Sequence, residues 1–113
     1  MKLLKRPITR EELGQIAKRR FGNIVKAVVD IQKEIMVIDA ELHADQEALL
    51  LEQGSSQGDL WGINLYPELK DDDFIEFDSM INFRPSAGNL SRNVDDPQMR
   101  KTIVSVVRKW IKE

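Results

Sequence analysis

The stretch from Ile24 to Ile38 constrains the fold more than any other segment, because more than half of its fifteen residues are β-branched. Such side chains are restricted in helices and pack well on a pleated sheet. Apolar residues alternate over 25–31 and again over 35–40, which predicts two strands joined by a turn at 32–34. The stretch also carries a helical apolar stripe, so a helix is the alternative (Ile24, Val28, Ile31, Ile35, Ile38).

One helix is predicted before this hairpin in the sequence, and another is predicted after it. Thr9 and Glu12 have the spacing of a capping box at the start of a helix over 10–21. Asp45 is the expected N-cap of a short helix over 46–53, because a carboxylate there can accept hydrogen bonds from the first turn.

Two more strands and a final helix complete the pattern. Alternation predicts strands over 60–66 and 74–84, which we expect to pair as an antiparallel hairpin. Asp96 caps the last helix, and Pro97 occupies its first turn, where a missing N–H costs nothing. The predicted order is α-β-β-α-β-β-α in a single domain, residues 1–113. It is an antiparallel β-sheet packed by helices, of the α+β class.

Composition excludes several classes of protein. Cysteine is absent and His43 is the single histidine, which excludes disulfides and thiol catalysis and argues against a structural zinc site. No apolar run approaches the roughly 20 residues that span a bilayer. Met1–Pro7 has too little apolar length for a signal peptide. We therefore expect a cytoplasmic protein with no membrane partner.

Charge is distributed unevenly along the chain, although the net charge is only −2. Residues 1–26 carry net +6, residues 27–80 net −12 and residues 81–113 net +4. We expect basic terminal helices beside an acidic sheet; the alternative is a bipolar surface that pairs with a second copy or a charged partner. Neither arrangement suits nucleic acid, which usually selects a continuous basic surface on a basic domain.

His43, Asp45 and Glu47 are the candidate catalytic residues, at the expected junction of a strand and a helix. A histidine beside carboxylates can shuttle protons near neutral pH, and this set can also hold Mg²⁺ or Mn²⁺. The alternative is structural: a helix cap, a charge at the helix dipole and a histidine bonded to backbone.

A second group of polar and aromatic residues lies inside or just after the predicted strands. Asparagine is depleted in strands, so its presence there suggests a specific role, either in ligand recognition or in bonding to loop backbone. Two arginines beside a glycine-containing loop and a helix N-terminus can hold a phosphate or carboxylate, although Asp95 and Asp96 oppose this. The candidate ligand-binding residues are Trp61, Asn64, Tyr66, Asn82, Arg84, Asn89 and Arg92.

Several short motifs together resemble a small prokaryotic family of uncharacterised proteins, a domain of unknown function. They are Glu41-Leu-His-Ala-Asp45 with Glu47, Asp59-Leu-Trp-Gly-Ile-Asn-Leu-Tyr-Pro67 and Ser79-Met-Ile-Asn-Phe-Arg-Pro85, together with the stretch Val25-Lys-Ala-Val-Val-Asp30 and the pair Gly54-Ser55. The resemblance covers essentially the whole chain and implies a stand-alone domain. It brings no activity, cofactor or partner. The chain departs from the family pattern at Asp39–Ala40, where the family has a glycine pair.

The residues favour a binding or regulatory module for an anionic small molecule or a protein partner, with a homodimer as one form of the latter. The alternative is a small hydrolase or nuclease-like enzyme, metal-dependent or not, that uses His43, Asp45 and Glu47. No glycine-rich phosphate loop, dinucleotide fingerprint or nucleophile elbow is present, so the cofactor is unknown.

Overall fold

The chain forms three α-helices, seven strands and four short 3₁₀ turns, and the computed structural model describes all residues from 1 to 113. The helices are α1 (Arg10–Arg20), α2 (His43–Glu52) and α3 (Pro97–Trp110). The strands are β1 (Lys2–Leu3), β2 (Ile8–Thr9), β3 (Val25–Asp30), β4 (Ile35–Ile38), β5 (Leu60–Leu65), β6 (Ile75–Glu76) and β7 (Ile111–Lys112).

A five-stranded antiparallel sheet, in the order β1-β4-β3-β5-β6, supports the rest of the molecule. On the central strand β3, Val29 lies opposite Met36 of β4 and Trp61 of β5. β2 and β7 form a separate parallel pair, in which Ile8 lies opposite Ile111. The α+β class is confirmed, and the order of the longer elements agrees with the prediction.

The hairpin predicted within residues 24–38 is confirmed as β3–β4, and its turn contains no glycine. The buried Asp30 carboxylate accepts hydrogen bonds from the backbone N–H groups of Gln32 and Lys33, both at 2.9 Å. Glu34 adopts the left-handed conformation that the turn requires, with φ of 57°. The Asp30 side chain therefore organises a turn that contains no glycine.

The two faces of the sheet are covered by different elements. Helices α1 and α3 pack on one face, over the larger core that includes Leu13, Ile63 and Ile103. Helix α2 covers the other face, where Leu50 packs with Val28, Val37 and Leu60. Each face of the central strands is thus buried, which explains why β5 is buried along its whole length.

Helix starts followed the predictions in two cases out of three. Thr9 and Glu12 form the capping box of α1, and the Asp96 side chain accepts from the N–H of Gln98 at the start of α3. The predicted cap of α2 was wrong: the helix begins at His43, and Asp45 lies in its first turn. None of the three helices is long and apolar enough to cross a membrane.

The predicted strand over 74–84 was also wrong in its extent. Pairing with β5 stops at Glu76, and the chain then forms 3₁₀ turns at Met80–Asn82 and Pro85–Ala87. A Cβ on Gly62 would lie 2.6 Å from both side-chain atoms of Ser79. The segment after β6 therefore crosses over β5 at a glycine instead of continuing beside it.

Candidate functional site

The three predicted catalytic residues point in different directions from α2. His43 is buried against the sheet, Glu47 is half-buried and Asp45 is exposed on the outer side of the helix. Residues two apart on a helix lie on opposite sides, which is why Asp45 cannot join the other two. The chain contains no group of three histidine or carboxylate side chains close enough to share a metal ion. The structure does not bring these residues together, and their catalytic role stays a prediction.

The His43 side chain connects α2 to the sheet by a hydrogen bond. Its Nε2 lies 2.8 Å from the carbonyl oxygen of Ile63, which can only accept, so Nε2 carries the proton. Gln46, one helical turn further on, donates to the carbonyl of Lys26 at 2.7 Å. Burial lowers the pKa of His43 below its ordinary value of 6.5, and the charge of Lys26 lowers this pKa further, while the Ile63 carbonyl opposes the shift. The imidazole is therefore neutral at pH 7 and acts as a hydrogen-bond donor.

This lowered pKa predicts a pH-dependent contribution to stability. As pH falls through 6.5 the unfolded chain takes up the His43 proton before the folded chain does, so stability present above pH 6.5 is lost below it. In His43→Gln, which keeps a donor for Ile63, we expect a smaller loss of unfolding free energy between about pH 7 and pH 5 than in wild type. Urea titrations of both proteins measure this. Parallel pH profiles would show that His43 protonates equally well in the folded state.

Asn64 and Tyr66 share a face of the strand region, as predicted, but they converge on a carboxylate of the same chain. Asn64 Nδ2 donates to Glu76 Oε1 at 2.9 Å, and the Tyr66 hydroxyl donates to the same oxygen at 3.1 Å. Burial, followed by this bond to Glu76, raises the pKa of the Tyr66 hydroxyl. These groups join β5 to β6.

The Asn82 side chain makes hydrogen bonds to the β5 backbone that a neighbouring strand would otherwise make. Its Oδ1 accepts from the N–H of Gly62 at 2.8 Å, and its Nδ2 donates to the carbonyl of Gly62 at 2.9 Å. The same Nδ2 lies 3.1 Å from the carbonyl of Arg92. The side-chain amide therefore covers the β5 edge that the shortened β6 leaves open.

Asn89 organises the loop that follows. Its Nδ2 donates to the carbonyls of Asn82, Ser91 and Asn93, at distances from 2.7 to 3.1 Å, and its Oδ1 accepts from the N–H of Asp95 at 2.9 Å. Asn89 is 5% exposed, and its amide is occupied by these bonds to the main chain.

Arg84 and Arg92, which were predicted to hold an anion together, contact different parts of the protein. Arg84 donates to the carbonyl of Leu60, and its guanidinium carbon lies 4.7 Å from the centre of the Trp61 ring. Burial lowers the pKa of Arg84, while the charge of Glu47 opposes this. Arg92 is exposed and pairs with Asp78 at 2.9 Å. Trp61 itself is a core residue, 7% exposed. The predicted ligand-binding residues thus do not line one shared, open cleft.

A large open groove lies elsewhere, between α3, β7 and residues 70–77, with a volume of about 1420 Å³. Its floor is apolar and includes Phe74, Ile75, Phe77 and Val104. Six basic side chains and three acidic ones line it. The basic residues are Arg10, Lys70, Arg100, Lys101, Arg108 and Lys112, and the acidic ones are Asp71, Asp72 and Glu113.

Two of the arginines are held in place by aromatic rings and carbonyls. The Arg10 guanidinium lies 4.0 Å from the centre of the Phe74 ring and donates to the carbonyl of Leu69 at 2.9 Å. The Arg100 guanidinium lies 5.2 Å from the Phe77 ring, and its Nε donates to the carbonyl of Val94 at 2.7 Å. Such contacts fix the positions of both charges without neutralising them.

Sequence reasoning missed this groove, although one signal was available. Lys101, Ser105, Arg108 and Lys112 recur at helical spacing and continue past the end of α3, beside the buried stripe of that helix. A smaller cleft of about 420 Å³ near the β1–β4 edge has the opposite character, with four carboxylates and one guanidinium among its lining residues (Asp39, Glu41, Asp45, Glu52 and Arg20). The lining side chains therefore carry a net positive charge in the groove and a net negative charge in the smaller cleft.

Fold and groove define an α+β protein with a five-stranded antiparallel sheet, two covered faces and one open basic groove. Residues 2–110 match the model of the family described as protein of unknown function (DUF5674), and the chain belongs to that family. The resemblance to a family of unknown function is thus confirmed. No curated protein matches the chain. No solved structure matches it either.

Proposed function

We propose that this protein is a binding or regulatory module that holds an anionic ligand in the groove beside α3. The observation that carries this proposal is the convergence of six basic side chains on one apolar floor in a chain whose net charge is −2. A cluster of basic residues on a protein of net negative charge attracts anions to that part of its surface.

The state of the individual charges supports the same conclusion. Lys70, Lys101 and Arg108 form no ion pair with the carboxylates of the chain, so their charges are available to a ligand. Arg10 does pair with Glu113 at 2.9 Å, but that carboxylate is largely exposed, with 82% of its side chain accessible. An exposed pair of this kind contributes little stability, so a ligand anion can replace Glu113 at small cost.

The size of the groove favours an extended ligand. Small-molecule pockets usually measure about 300–1,000 Å³ and enclose most of the ligand, whereas this groove is larger, at about 1420 Å³. The ligand can be an anionic small molecule that fills part of the groove or an acidic segment of a protein partner. A second copy of this chain is one source of such a segment, because residues 27–80 carry net −12.

We also place the protein in the cytoplasm. A chain without cysteine fits a reducing compartment, where disulfides are rare. Fractionation of cells that produce the intact protein would test this location.

Charge reversal on α3 tests the groove directly. Lys101 and Arg108 are exposed, and in the double variant Lys101→Glu/Arg108→Glu we expect tripolyphosphate and a short oligoglutamate to bind at least about ten-fold more weakly at low ionic strength. Chemical-shift titrations measure both affinities and show whether the amides of residues 70–77 and 100–112 respond.

The matched control is Lys18→Glu/Arg19→Glu, which makes the same charge change on exposed residues of α1 outside the groove. We expect this control to weaken binding no more than about three-fold, by the loss of long-range attraction alone. Equal weakening by both double variants, or saturable binding of neither probe, would contradict the proposed function.

A further inference from the structure

The sheet edge beside the groove carries backbone N–H and C=O groups that pair with no other strand. β6 is the last strand in the sheet order, and Ile75 and the next apolar residue, Phe77, both line the groove. The N–H of Tyr66 donates to the carbonyl of Phe74, and Asn64 lies opposite Glu76. Because backbone groups alternate in direction along a strand, Phe74 and Glu76 bond to β5, and Ile75 and Phe77 direct theirs away from it.

We propose that the ligand of the groove is an extended acidic peptide segment of a partner protein, which adds to β6 as a sixth strand. The proposal rests on the proposed function, since it names the ligand of the same groove. Addition of a strand to an open sheet edge is a general mode of peptide recognition, in which backbone bonds supply affinity and alternate side chains supply specificity. An open edge beside an apolar floor is a template for such pairing.

The charges on the two sides of β6 determine which peptide fits. Lys101 and Arg108 line the groove on the α3 side of the sheet edge. Glu76 and Asp78 lie on or just after β6, and Asn64 bonds to Glu76 from the face covered by α2. Side chains of an added strand alternate between these two sides. The fitting sequence therefore carries acidic residues at every second position and uncharged residues between them.

Nucleic acid fits this surface less well than a peptide. A phosphate chain places charge at regular, close intervals, and Asp71, Asp72 and Glu113 would repel it at the rim of the groove. A strand with alternating charge can direct its acidic residues toward Lys101 and Arg108 and present only uncharged residues to those carboxylates. The apolar floor at Phe74 and Phe77 also offers contacts that a sugar-phosphate backbone does not use.

Backbone methylation of a probe peptide tests strand addition separately from charge. The probe is an acetylated, amidated heptapeptide of alternating glutamate and threonine. Two methylated forms carry N-methyl groups on one alternate set of amides or on the other, with identical side chains and charge. Only one set can face β6, so we expect one methylated form to bind at least about ten-fold more weakly than the unmodified peptide, and the other within about three-fold.

The outcomes separate this inference from the proposed function. A difference between the two methylated peptides, with the largest amide shifts at Ile75 and Phe77, supports strand addition. Equal affinity of the two methylated peptides overturns it, and the groove then stands as an anion site if tripolyphosphate still binds. Failure of both tripolyphosphate and the unmodified peptide removes the proposed function as well. Tighter binding of a single-stranded thymidine oligonucleotide in the groove overturns the peptide in favour of nucleic acid.

Discussion

Asn89→Ala is expected to lower the free energy of unfolding by about 3–4 kcal/mol, because it removes the amide that closes the loop before α3. The buried side chain makes four hydrogen bonds to main-chain groups from Asn82 to Asp95. Alanine leaves these groups without their partner, and each unsatisfied buried group costs about 1–3 kcal/mol before the loop relaxes. Urea denaturation followed by circular dichroism measures the change.

Asn23→Ala is the matched control, since Asn23 is exposed and its side chain makes no hydrogen bond in the chain. We expect its unfolding free energy to stay within about 0.5 kcal/mol of wild type. A loss below about 1 kcal/mol in Asn89→Ala would mean that water satisfies these groups as well as the amide does. In that case Asn89 would again be a candidate for ligand recognition.

Gly62→Ala is expected to cost about 3 kcal/mol through steric conflict in the interior. The added methyl group would lie 2.6 Å from Ser79 Cβ and Oγ and 3.2 Å from Ile81 Cγ1. Neither neighbour can move away easily, because the N–H of Ser79 donates to the carbonyl of Arg92 at 3.0 Å and Asn82 is bonded to Gly62 itself. Thermal and urea unfolding would show the loss.

Gly58→Ala provides the comparison for this substitution. Gly58 has no heavy atom within 4 Å of the position of an added Cβ, and its backbone does not require glycine. We expect no loss of stability there. We expect a gain of a few tenths of a kcal/mol, because alanine makes the unfolded chain less flexible than glycine does. Equal stability of the two variants would show that the segment crossing β5 can shift without cost.

Local sequence signals predicted the elements whose ends are determined by their own residues. The capping box at Thr9 and Glu12, the Asp96 cap and the alternation over 25–38 are all local, and each gave the element observed. The start of α2 is different. His43 and Gln46 bond to sheet carbonyls of Ile63 and Lys26, and these distant contacts accompany a helix that begins before Asp45, the residue that local rules favour.

The long strand predicted over 74–84 failed for a related reason. Its alternation is genuine, yet Phe83, an apolar position of that pattern, is 51% exposed. The chain leaves the sheet after β6, and the absence of a side chain on Gly62 lets Ser79 lie against β5. The Asn82 side chain then makes the hydrogen bonds to Gly62 that a longer β6 would have made. Alternation reports which residues suit a strand, but it contains nothing about a glycine almost twenty positions earlier.

The candidate site was harder to predict than the fold. Asn82 stands out in the sequence because asparagine is rare in strands, and the structure uses its side chain to satisfy the backbone groups of Gly62. The groove is assembled from Arg10, residues 70–77 and the region around α3, which are far apart along the chain. Only the basic stripe that includes Lys101 and Arg108 is visible without knowledge of the topology.

The parallel pair of β2 and β7 makes the groove depend on the completed fold. It joins Ile8 to Ile111 across roughly the whole length of the chain, and Arg10 and Lys112, at its ends, are part of the groove wall. Closing so long a stretch of chain costs more conformational entropy than closing the local β3–β4 hairpin. Loss of this short pair would therefore remove one wall of the groove even where the central sheet stays intact.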